Sequence, residues 1–263
     1  VQSIDVVARR IAWGKCFNCG QTCVSPQYVL VLEKQAQPLK ELLVKYLEQF
    51  YGADPKESND FGRQQTKDKA LRIKELLSSG SYTTLCGGAD KVDTESRYVP
   101  PTVVAECPIN SPLMQEEIFG PVLIVNTVKS IEDAIKYVKQ VPGTPLALYV
   151  FSSQSSNIEK CFSEIQSGGG MANDLMLQAV APNAPLGGVG SSGHGGYHGK
   201  HSFECFSQKR TVIHKHLNYN NNVCDPWLRY PPFDKDGLKQ RLLRGLARNL
   251  PTLPSCFGGT YKS

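Results

Sequence analysis

The spacing of apolar and polar residues predicts helices along most of the chain. Apolar residues recur at helical spacing over residues 3–13, 38–52, 66–78, 130–138, 158–168 and 238–249. Ser3 is a good N-cap for the first of these helices, and Gly52 is a typical end for the second. Pro38 is expected near the start of the second helix, because proline lacks the backbone N–H that an interior position donates.

Shorter apolar runs predict strands between the helices. Runs that suit a strand cover residues 28–32, 98–107, 120–128, 145–151 and 206–216. Strands that alternate with helices of this length are typical of an α/β fold. The sequence therefore predicts an α/β protein whose sheet is mostly parallel.

A glycine-rich stretch interrupts this alternation. Glycine occupies six of the ten positions 187–196, which predicts a loop. Gly188, Gly190 and Gly193 fit the G-x-G-x-x-G spacing of dinucleotide-binding turns, but that motif also needs a preceding strand, a following helix and an acid about 20 residues later. Prolines precede the stretch, and the only nearby acid is Glu204. The sequence therefore argues against nucleotide binding by this loop.

Composition and charge narrow the class of protein. With 263 residues, 40% of them apolar and 20% charged, the chain has the profile of a globular protein. A net charge of +5, spread along the chain, argues against nucleic-acid binding. No apolar run has the roughly 18 to 20 residues that a membrane span needs, and no stretch resembles a signal peptide. The first methionine is Met114, so we expect the chain to be part of a longer polypeptide.

The number and spacing of the cysteines indicate a reducing compartment and argue against a metal-binding site. There are nine, irregularly spaced, which favours free thiols in a cytoplasmic protein. Three of them lie in GKCFNCGQTC, residues 14–23. A zinc site takes four thiolate or imidazole ligands, and here only Cys16 and Cys19 form a close pair. A redox pair would stand at the start of a helix, whereas these two follow a predicted helix, so both are expected to be small buried residues.

Cys23 is the candidate for chemistry. It follows Gly20, Gln21 and Thr22 in a loop between the first predicted helix and the strand at 28–32. A thiolate in such a loop can attack a carbonyl carbon, and neighbouring backbone N–H groups can stabilise the oxyanion that forms. These residues therefore suggest covalent catalysis.

Three motifs resemble segments of the aldehyde dehydrogenase superfamily, in collinear order. NCGQTC (18–23) resembles the N-x-G-Q-x-C motif around the nucleophilic cysteine, and MQEEIFGPV (114–122) resembles the second signature. PLGGVGSSGHGGYHGKHSFECFSQKR (185–210) is similar to the C-terminal segment of the class 3 group, which includes fatty aldehyde dehydrogenases. The resemblance covers about residues 1–232. It implies an aldehyde dehydrogenase-like catalytic domain with a Rossmann-like sheet, N-terminally incomplete and with the nucleotide-binding domain largely missing.

The resemblance implies roles for four residues. Cys23 matches the nucleophile, which converts an aldehyde to a thiohemiacetal and then to a thioester that water hydrolyses. Asn18 is expected to support the loop. Glu117 matches the glutamate that hydrogen-bonds the nicotinamide ribose, and Phe119 matches the aromatic residue beside the nicotinamide. The implied cofactor is NAD or NADP, and the implied substrate is an aliphatic, fatty or aromatic aldehyde.

The chain also departs from the family pattern. Gln27 stands where relatives often carry aspartate, and Leu186 stands where phenylalanine is usual. The second oxyanion donor and the glutamate base of the family belong before residue 1, so this chain is expected to be incomplete for turnover. The alternative is an inactive truncated fragment that acts only as an oligomerisation partner or has no function of its own.

Three parts are predicted along the chain: a catalytic domain at 1–185, the glycine-rich loop with an interface strand at 186–216, and a C-terminal tail at 217–263. The strand around 203–214 resembles the family's interface segment, so a homodimer is expected for the full-length protein. In the tail, the basic helix at 238–249 could lie on an anionic membrane, cover the substrate entrance, or pack on its own domain as an ordinary solvated helix. The expected location is cytoplasmic, with membrane contact peripheral.

Overall fold

The computed structural model describes residues 3–214, 229–231 and 237–248. The chain forms two units, Val1–Gln208 and Lys209–Ser263. The helices of the first unit are α1 (Ile4–Cys16), α2 (Glu33–Tyr51), α3 (Lys67–Ser78), α4 (Pro112–Gln115), α5 (Ile131–Gln140), α6 (Ser155–Glu164) and α7 (Lys200–Cys205). Its strands are β1 (Tyr28–Leu32), β2 (Thr83–Cys86), β3 (Thr102–Ala105), β4 (Val122–Val128), β5 (Ala147–Val150) and β6 (Gly169–Ala172).

The main sheet has four strands in the order β1-β4-β3-β2. Strands β1 and β3 both pair parallel with the central strand β4, and β2 adds an antiparallel edge. Strands β5 and β6 form a separate parallel pair. The predicted α/β fold with a mostly parallel sheet is therefore confirmed.

Helices cover both faces of this sheet. Leu123 and Val125 of β4 belong to the core cluster that includes residues of α1 and α2, whereas Val122 and Ile124 belong to the cluster that includes Ile73 of α3. Successive side chains of a strand point to opposite faces, so this alternation assigns each cluster to one side. A strand buried on both faces reads as a continuous apolar run, which is how VLIV appears in the sequence.

The helix starts follow local capping rules. The Ser3 hydroxyl accepts a hydrogen bond from the Val6 N–H, and Thr66 and Ser130 cap α3 and α5 in the same way. Helix α2 differs from the prediction, because it begins at Glu33 directly after β1 and contains Pro38. The proline removes one hydrogen bond of the second turn, and burial of Leu39 and Leu43 on the core offsets that loss.

Two strands were not predicted from the sequence. Strand β2 is a four-residue edge, TTLC, whose existence depends on pairing with β3. Strand β6 begins with Gly169 and Gly170, and glycine disfavours strands on propensity alone. A Cβ on Gly170 would lie 2.4 Å from the Phe162 ring, so glycine is what allows α6 to pack on this strand.

The sequence analysis predicted a strand over residues 206–216 and an interface strand around 203–214. For the described residues, this prediction is wrong. Lys200–Cys205 is helix α7, and residues 207–214 have no regular secondary structure. A strand forms only where a neighbouring segment satisfies its backbone groups, and no described strand pairs with these residues. Residues 215 and 216 lie outside the described residues. The three predicted domain boundaries stay a prediction.

The second unit contains helix α8 (Leu238–Arg248). Leu238, Leu242 and Leu243 are exposed, and the Lys239 ammonium donates to the Tyr230 carbonyl at 3.0 Å. Among the helices of the described ranges, none combines the length and apolarity of a membrane span. Peripheral contact of this basic helix with an anionic membrane stays a prediction.

The side chain of Asn126 in β4 links this strand to the backbone of Cys107 and to Tyr137 of α5, and these hydrogen bonds can be tested. Its buried amide accepts from the Cys107 N–H at 2.8 Å and donates to the Cys107 carbonyl at 2.8 Å and the Tyr137 hydroxyl at 2.7 Å. Asn126→Ala leaves both backbone groups of Cys107 unpaired, so we expect the free energy of unfolding to fall by about 2–4 kcal/mol in urea denaturation. Tyr137→Phe removes one bond only and is expected to cost about 1 kcal/mol. Equal losses in the two variants would contradict this account of Asn126.

Candidate active site

A left-handed turn carries the chain from α1 towards Cys23. The turn spans Phe17–Gly20, and Asn18, Cys19 and Gly20 have φ angles of 50°, 54° and 71°. Glycine adopts this conformation freely and asparagine tolerates it, but a cysteine does so at a cost. Other contacts must therefore hold Cys19 in place.

Reciprocal hydrogen bonds between Asn18 and Gln21 close this turn. The Asn18 amide donates to the Gln21 carbonyl at 2.9 Å, while the Gln21 amide donates to the Asn18 carbonyl at 3.2 Å. Gln21 also donates to the Arg63 carbonyl at 3.1 Å and accepts from the Gln65 N–H at 2.9 Å. The turn is thereby attached to the segment that precedes α3.

Cys23 itself is exposed, at a turn that the Ser25 N–H closes on the Thr22 carbonyl at 2.9 Å. One residue after Cys23, the Val24 carbonyl accepts a hydrogen bond from the Tyr149 hydroxyl of β5 at 2.7 Å. Burial raises the pKa of Tyr149, and the nearby Cys23 raises it further. The Gln178 amide donates to the same hydroxyl at 2.8 Å. Tyr149 thus lies near Cys23 and is itself held by Gln178, and the sequence analysis assigned a role to neither residue.

The second motif is held mainly through its backbone, and the Glu116 carboxylate adds an ion pair with Arg72 at 2.9 Å. Arg72 of α3 donates to the Glu117 carbonyl at 2.8 Å and to the Ile118 carbonyl at 3.2 Å. The Glu117 side chain is exposed, and Phe119 is half-buried with a left-handed φ of 52°. The two predicted cofactor contacts therefore project from a segment whose backbone is fastened to α3.

Gln27, one of the two departures from the family pattern, also fastens this segment. Its amide donates to the Leu113 carbonyl at 3.3 Å and the Glu116 carbonyl at 2.9 Å, and it accepts from the Ile118 N–H at 3.2 Å. An amide can both donate and accept, whereas a carboxylate only accepts. Gln27 thus has a structural role that the sequence alone did not reveal.

The two motifs meet because each lies just before one of two neighbouring parallel strands. The cysteine loop precedes β1 and the Glu117–Pro121 segment precedes β4, and Tyr28 is in register with Ile124. The amino ends of parallel neighbours lie at the same edge of a sheet. The backbones then come into direct contact, since a Cβ on Gly20 would lie 2.1 Å from the Gly120 carbonyl oxygen.

Lys15 was missed by the sequence analysis, because it reads as an ordinary lysine near a helix end. It is 4% exposed. Burial lowers its pKa to about 8, and the nearby Cys16, Cys19 and Glu117 oppose that shift. The structure thus places a buried amine in the electrostatic environment of both motifs.

Cys16 and Cys19 are buried, as expected, and burial raises the pKa of both thiols, that of Cys19 to about 11. Within the described ranges, no group of three or more histidine, cysteine and acidic side chains could hold a metal ion.

A surface cavity of about 420 Å³ lies beside the turn, and its aromatic lining consists of Trp13, Phe17, Phe50 and Tyr51.

The glycine-rich stretch is packed against itself. A Cβ on Gly187 would lie 1.9 Å from the Gly195 carbonyl oxygen, and one on Gly188 would lie 1.8 Å from the Ser192 carbonyl oxygen. Leu186, the second departure, forms an isolated bridge with Tyr197. The glycines therefore serve close backbone packing, and their spacing is a consequence of that packing.

The contact between the motifs predicts that Gly20 cannot accept a side chain. Gly20→Ala adds a Cβ against the Gly120 backbone and also strains a left-handed φ of 71°. Gly52→Ala is the matched control, because Gly52 has a φ of 80° but no atom within 4 Å of its Cβ position. Gly52 has a ψ of 179°, a combination that essentially only glycine adopts, so we expect the control to cost about 1–3 kcal/mol of unfolding free energy through backbone strain alone. Gly20→Ala should cost at least about 2 kcal/mol more than the control, measured by urea denaturation. Similar costs would mean that the two backbones are not in contact.

The lowered pKa of Lys15 leads us to expect that this residue makes the free energy of unfolding depend on pH. Its pKa falls from 10.5 to about 8 on folding, so the unfolded state binds more protons on this amine between these values, and the contribution of Lys15 to stability rises with pH across that window. The raised pKa values of Cys16 and Cys19 act in the opposite direction, so the Lys15 contribution is measured as a difference from a variant. Lys15→Met is expected to be more stable than the wild type by about 3 kcal/mol below pH 8, and this difference in the free energy of unfolding should shrink as the pH rises towards 10.5. Lys34→Met, at an exposed position of α2, should keep the wild-type dependence. A difference between Lys15→Met and the wild type that does not change with pH would contradict the lowered pKa of Lys15.

Comparison with known proteins is consistent with the motifs. The aldehyde dehydrogenase family profile matches residues 2–212. The dimeric NADP-preferring aldehyde dehydrogenase of Rattus norvegicus is 44% identical over 229 residues, which cover 87% of this chain and 49% of the relative. The 4,4'-diaponeurosporen-aldehyde dehydrogenase of Staphylococcus aureus is 39% identical over 221 residues, which cover 84% of this chain and 48% of the relative.

A solved structure described as the substrate-bound state of Staphylococcus aureus AldH superposes with a TM-score of 0.74 at 35% identity, covering 93% of this chain and 51% of that one. The chain thus spans about half the length of the relatives described here. The roles of Cys23, Asn18, Glu117 and Phe119 stay predictions. The match over residues 2–212 shows that this chain belongs to the aldehyde dehydrogenase family.

Proposed function

We propose that the chain carries the nucleophile and the nicotinamide end of the cofactor site of an enzyme that oxidises an aldehyde to a carboxylic acid. One observation supports this above the others. Cys23 is exposed on a loop whose turn is in backbone contact with the segment of Glu117 and Phe119, through Gly20 and Gly120. A nucleophile and a hydride acceptor must lie close together for one carbon atom to react with both.

Cys23 acts as the nucleophile in this proposal. Its sulfur attacks the aldehyde carbon, a C–S bond forms, and the carbonyl electron pair moves to oxygen. The backbone N–H of Cys23 donates to none of the described residues, so it is available to this oxyanion. Tyr149 holds the Val24 carbonyl, which restricts rotation of the Val24–Ser25 peptide.

The proposed cofactor is NAD or NADP, which accepts a hydride from the former aldehyde carbon when it is bound. The exposed Glu117 carboxylate suits ribose hydroxyl groups, which donate hydrogen bonds to carboxylates, and the half-buried Phe119 ring offers an apolar face. Arg72 and Gln27 keep both residues in place through the backbone. Once the hydride has left, the oxygen electron pair re-forms the carbonyl, which gives the Cys23 thioester. Water then adds to its carbonyl carbon and loses a proton to solvent, the C–S bond breaks with its electron pair returning to sulfur, and the carboxylic acid is released.

The proposed substrate is an apolar aldehyde, fatty or aromatic. Trp13 and Phe17 are exposed beside the turn that leads to Cys23, with ring centroids 5.6 Å apart, and both line the aromatic cavity, whose lining residues do not include Cys23. Such surfaces favour apolar ligands over charged ones. A homodimer is proposed as well, on the support of the rat relative, which is named dimeric.

Thiol reactivity tests the proposal without requiring turnover. We expect Cys23 to react with iodoacetamide near pH 7 about ten times faster than Cys205, because Cys23 lies on a loop that fixed contacts hold in place, which suits nucleophilic attack. Cys205 is the matched control, since it is the other exposed cysteine of the described residues. Mass spectrometry of peptides measures each rate separately, and hexanal should protect Cys23 selectively by forming the thiohemiacetal.

Two variants complete the experiment. Cys23→Ser should remove the fast, aldehyde-protected site, and Cys205→Ser should leave it unchanged. If Cys23 reacts no faster than Cys205 and hexanal protects neither, the chain has no activated nucleophile, and the alternative of an inactive fragment is favoured.

A further inference from the structure

Gln64 is a buried amide that contacts the turn before Cys23. Its side chain is 1% exposed and lies in the segment between Phe61 and α3. The amide nitrogen Nε2 lies 3.2 Å from the Cys19 carbonyl oxygen and 3.4 Å from the Cys19 sulfur. The same nitrogen would lie 3.6 Å from a Cβ on Gly120. Gln64 therefore lies beneath the point where the two motifs touch.

Only one orientation of this amide is compatible with its surroundings. The oxygen Oε1 is buried and accepts no hydrogen bond from any residue in the described part of the chain. If the amide were flipped so that its nitrogen and oxygen changed places, Oε1 would lie against the Cys19 carbonyl oxygen, and two hydrogen-bond acceptors repel each other at that distance. Gln64 is thus oriented by the carbonyl of Cys19.

Cys19 is the residue of the turn that most needs such a partner. Its φ of 54° is unfavourable for a residue with a Cβ, unlike that of Gly20, and its carbonyl lies in the interior. A hydrogen bond to that carbonyl stabilises the strained conformation directly, because the carbonyl direction changes if Cys19 leaves the left-handed region. The segment that supplies Gln64 is itself fixed, since the Gln64 N–H donates to the Arg97 carbonyl at 2.9 Å.

We infer that Gln64 is a positioning residue for Cys23. It keeps the turn of Asn18, Cys19 and Gly20 left-handed, and that turn determines where the loop presents the Cys23 thiol. The inference rests on the proposed function of Cys23 as nucleophile, but the effect of Gln64 on the turn is independent of it.

The test compares Gln64→Met with Gln65→Met. Methionine matches glutamine in length and suits an apolar interior, and removal of the unpartnered Oε1 offsets part of the lost bonding. Gln65 is exposed, and among the described residues its side chain accepts a hydrogen bond from Lys69 alone. Two quantities are measured in each full-chain variant: amide hydrogen exchange of Gln21, whose N–H donates to the Asn18 carbonyl at 3.1 Å, and the ratio of Cys23 to Cys205 alkylation rates.

We expect Gln64→Met to speed exchange at Gln21 about tenfold and to lower the alkylation ratio about fivefold, the factors for losing one hydrogen bond of ordinary strength. Gln65→Met should change neither by more than about twofold. The double variant Cys19→Gly/Gln64→Met should restore slow exchange, because glycine adopts the left-handed conformation without a partner. It also keeps the inference testable if Gln64→Met alone does not fold.

The outcomes separate this inference from the proposed function. If Gln64→Met leaves exchange at Gln21 unchanged, the inference is overturned, whatever the reactivity of Cys23. If exchange rises but a fast wild-type Cys23 keeps its rate, Gln64 has only a structural role, and the inference also fails. If wild-type Cys23 is no faster than Cys205, the proposed function fails, and the exchange rates alone decide whether Gln64 holds the turn.

Discussion

The candidate site depends on a contact between two backbones that only glycine permits. Gly20 meets the Gly120 carbonyl at a distance where no Cβ fits, and Gly20 is also the last of three residues in a left-handed turn. The contact joins segments about 100 residues apart in sequence. Without it, the cysteine loop and the Glu117–Pro121 segment would each be an ordinary connection to a strand.

The sheet makes that contact possible. Strands β1 and β4 are parallel neighbours, so the loops that precede them emerge at the same edge. The remaining attachments then come from outside the two motifs: Arg72 on α3, Gln27 ahead of β1, Tyr149 on β5 and Gln64 ahead of α3. A short loop rarely holds reactive groups by itself, and here a rigid framework positions it.

Unfavourable features are concentrated around this site. Cys19 is left-handed, Lys15 is buried with a lowered pKa, and the Gln64 oxygen has no partner among the described residues. Each lowers stability relative to an apolar, relaxed alternative. The core on both faces of β4 offsets these costs, because its residues are almost fully buried. Strain of this kind is tolerated where the surrounding structure is over-determined, and it is typical of functional sites.

Much of this protein follows from its sequence alone. Local periodicity and capping residues predicted α1, α3, α5, β1 and β4, because helix starts and buried strands depend on neighbouring residues. The motifs around Cys23 and Glu117 predicted the family, since chemistry restricts which residues may stand there. The sequence did not reveal β2, β6, or the irregular course of 207–214, because strands depend on distant partners. Nor did it reveal Lys15, Gln27, Gln64 or Tyr149, whose importance comes only from what tertiary packing places beside them.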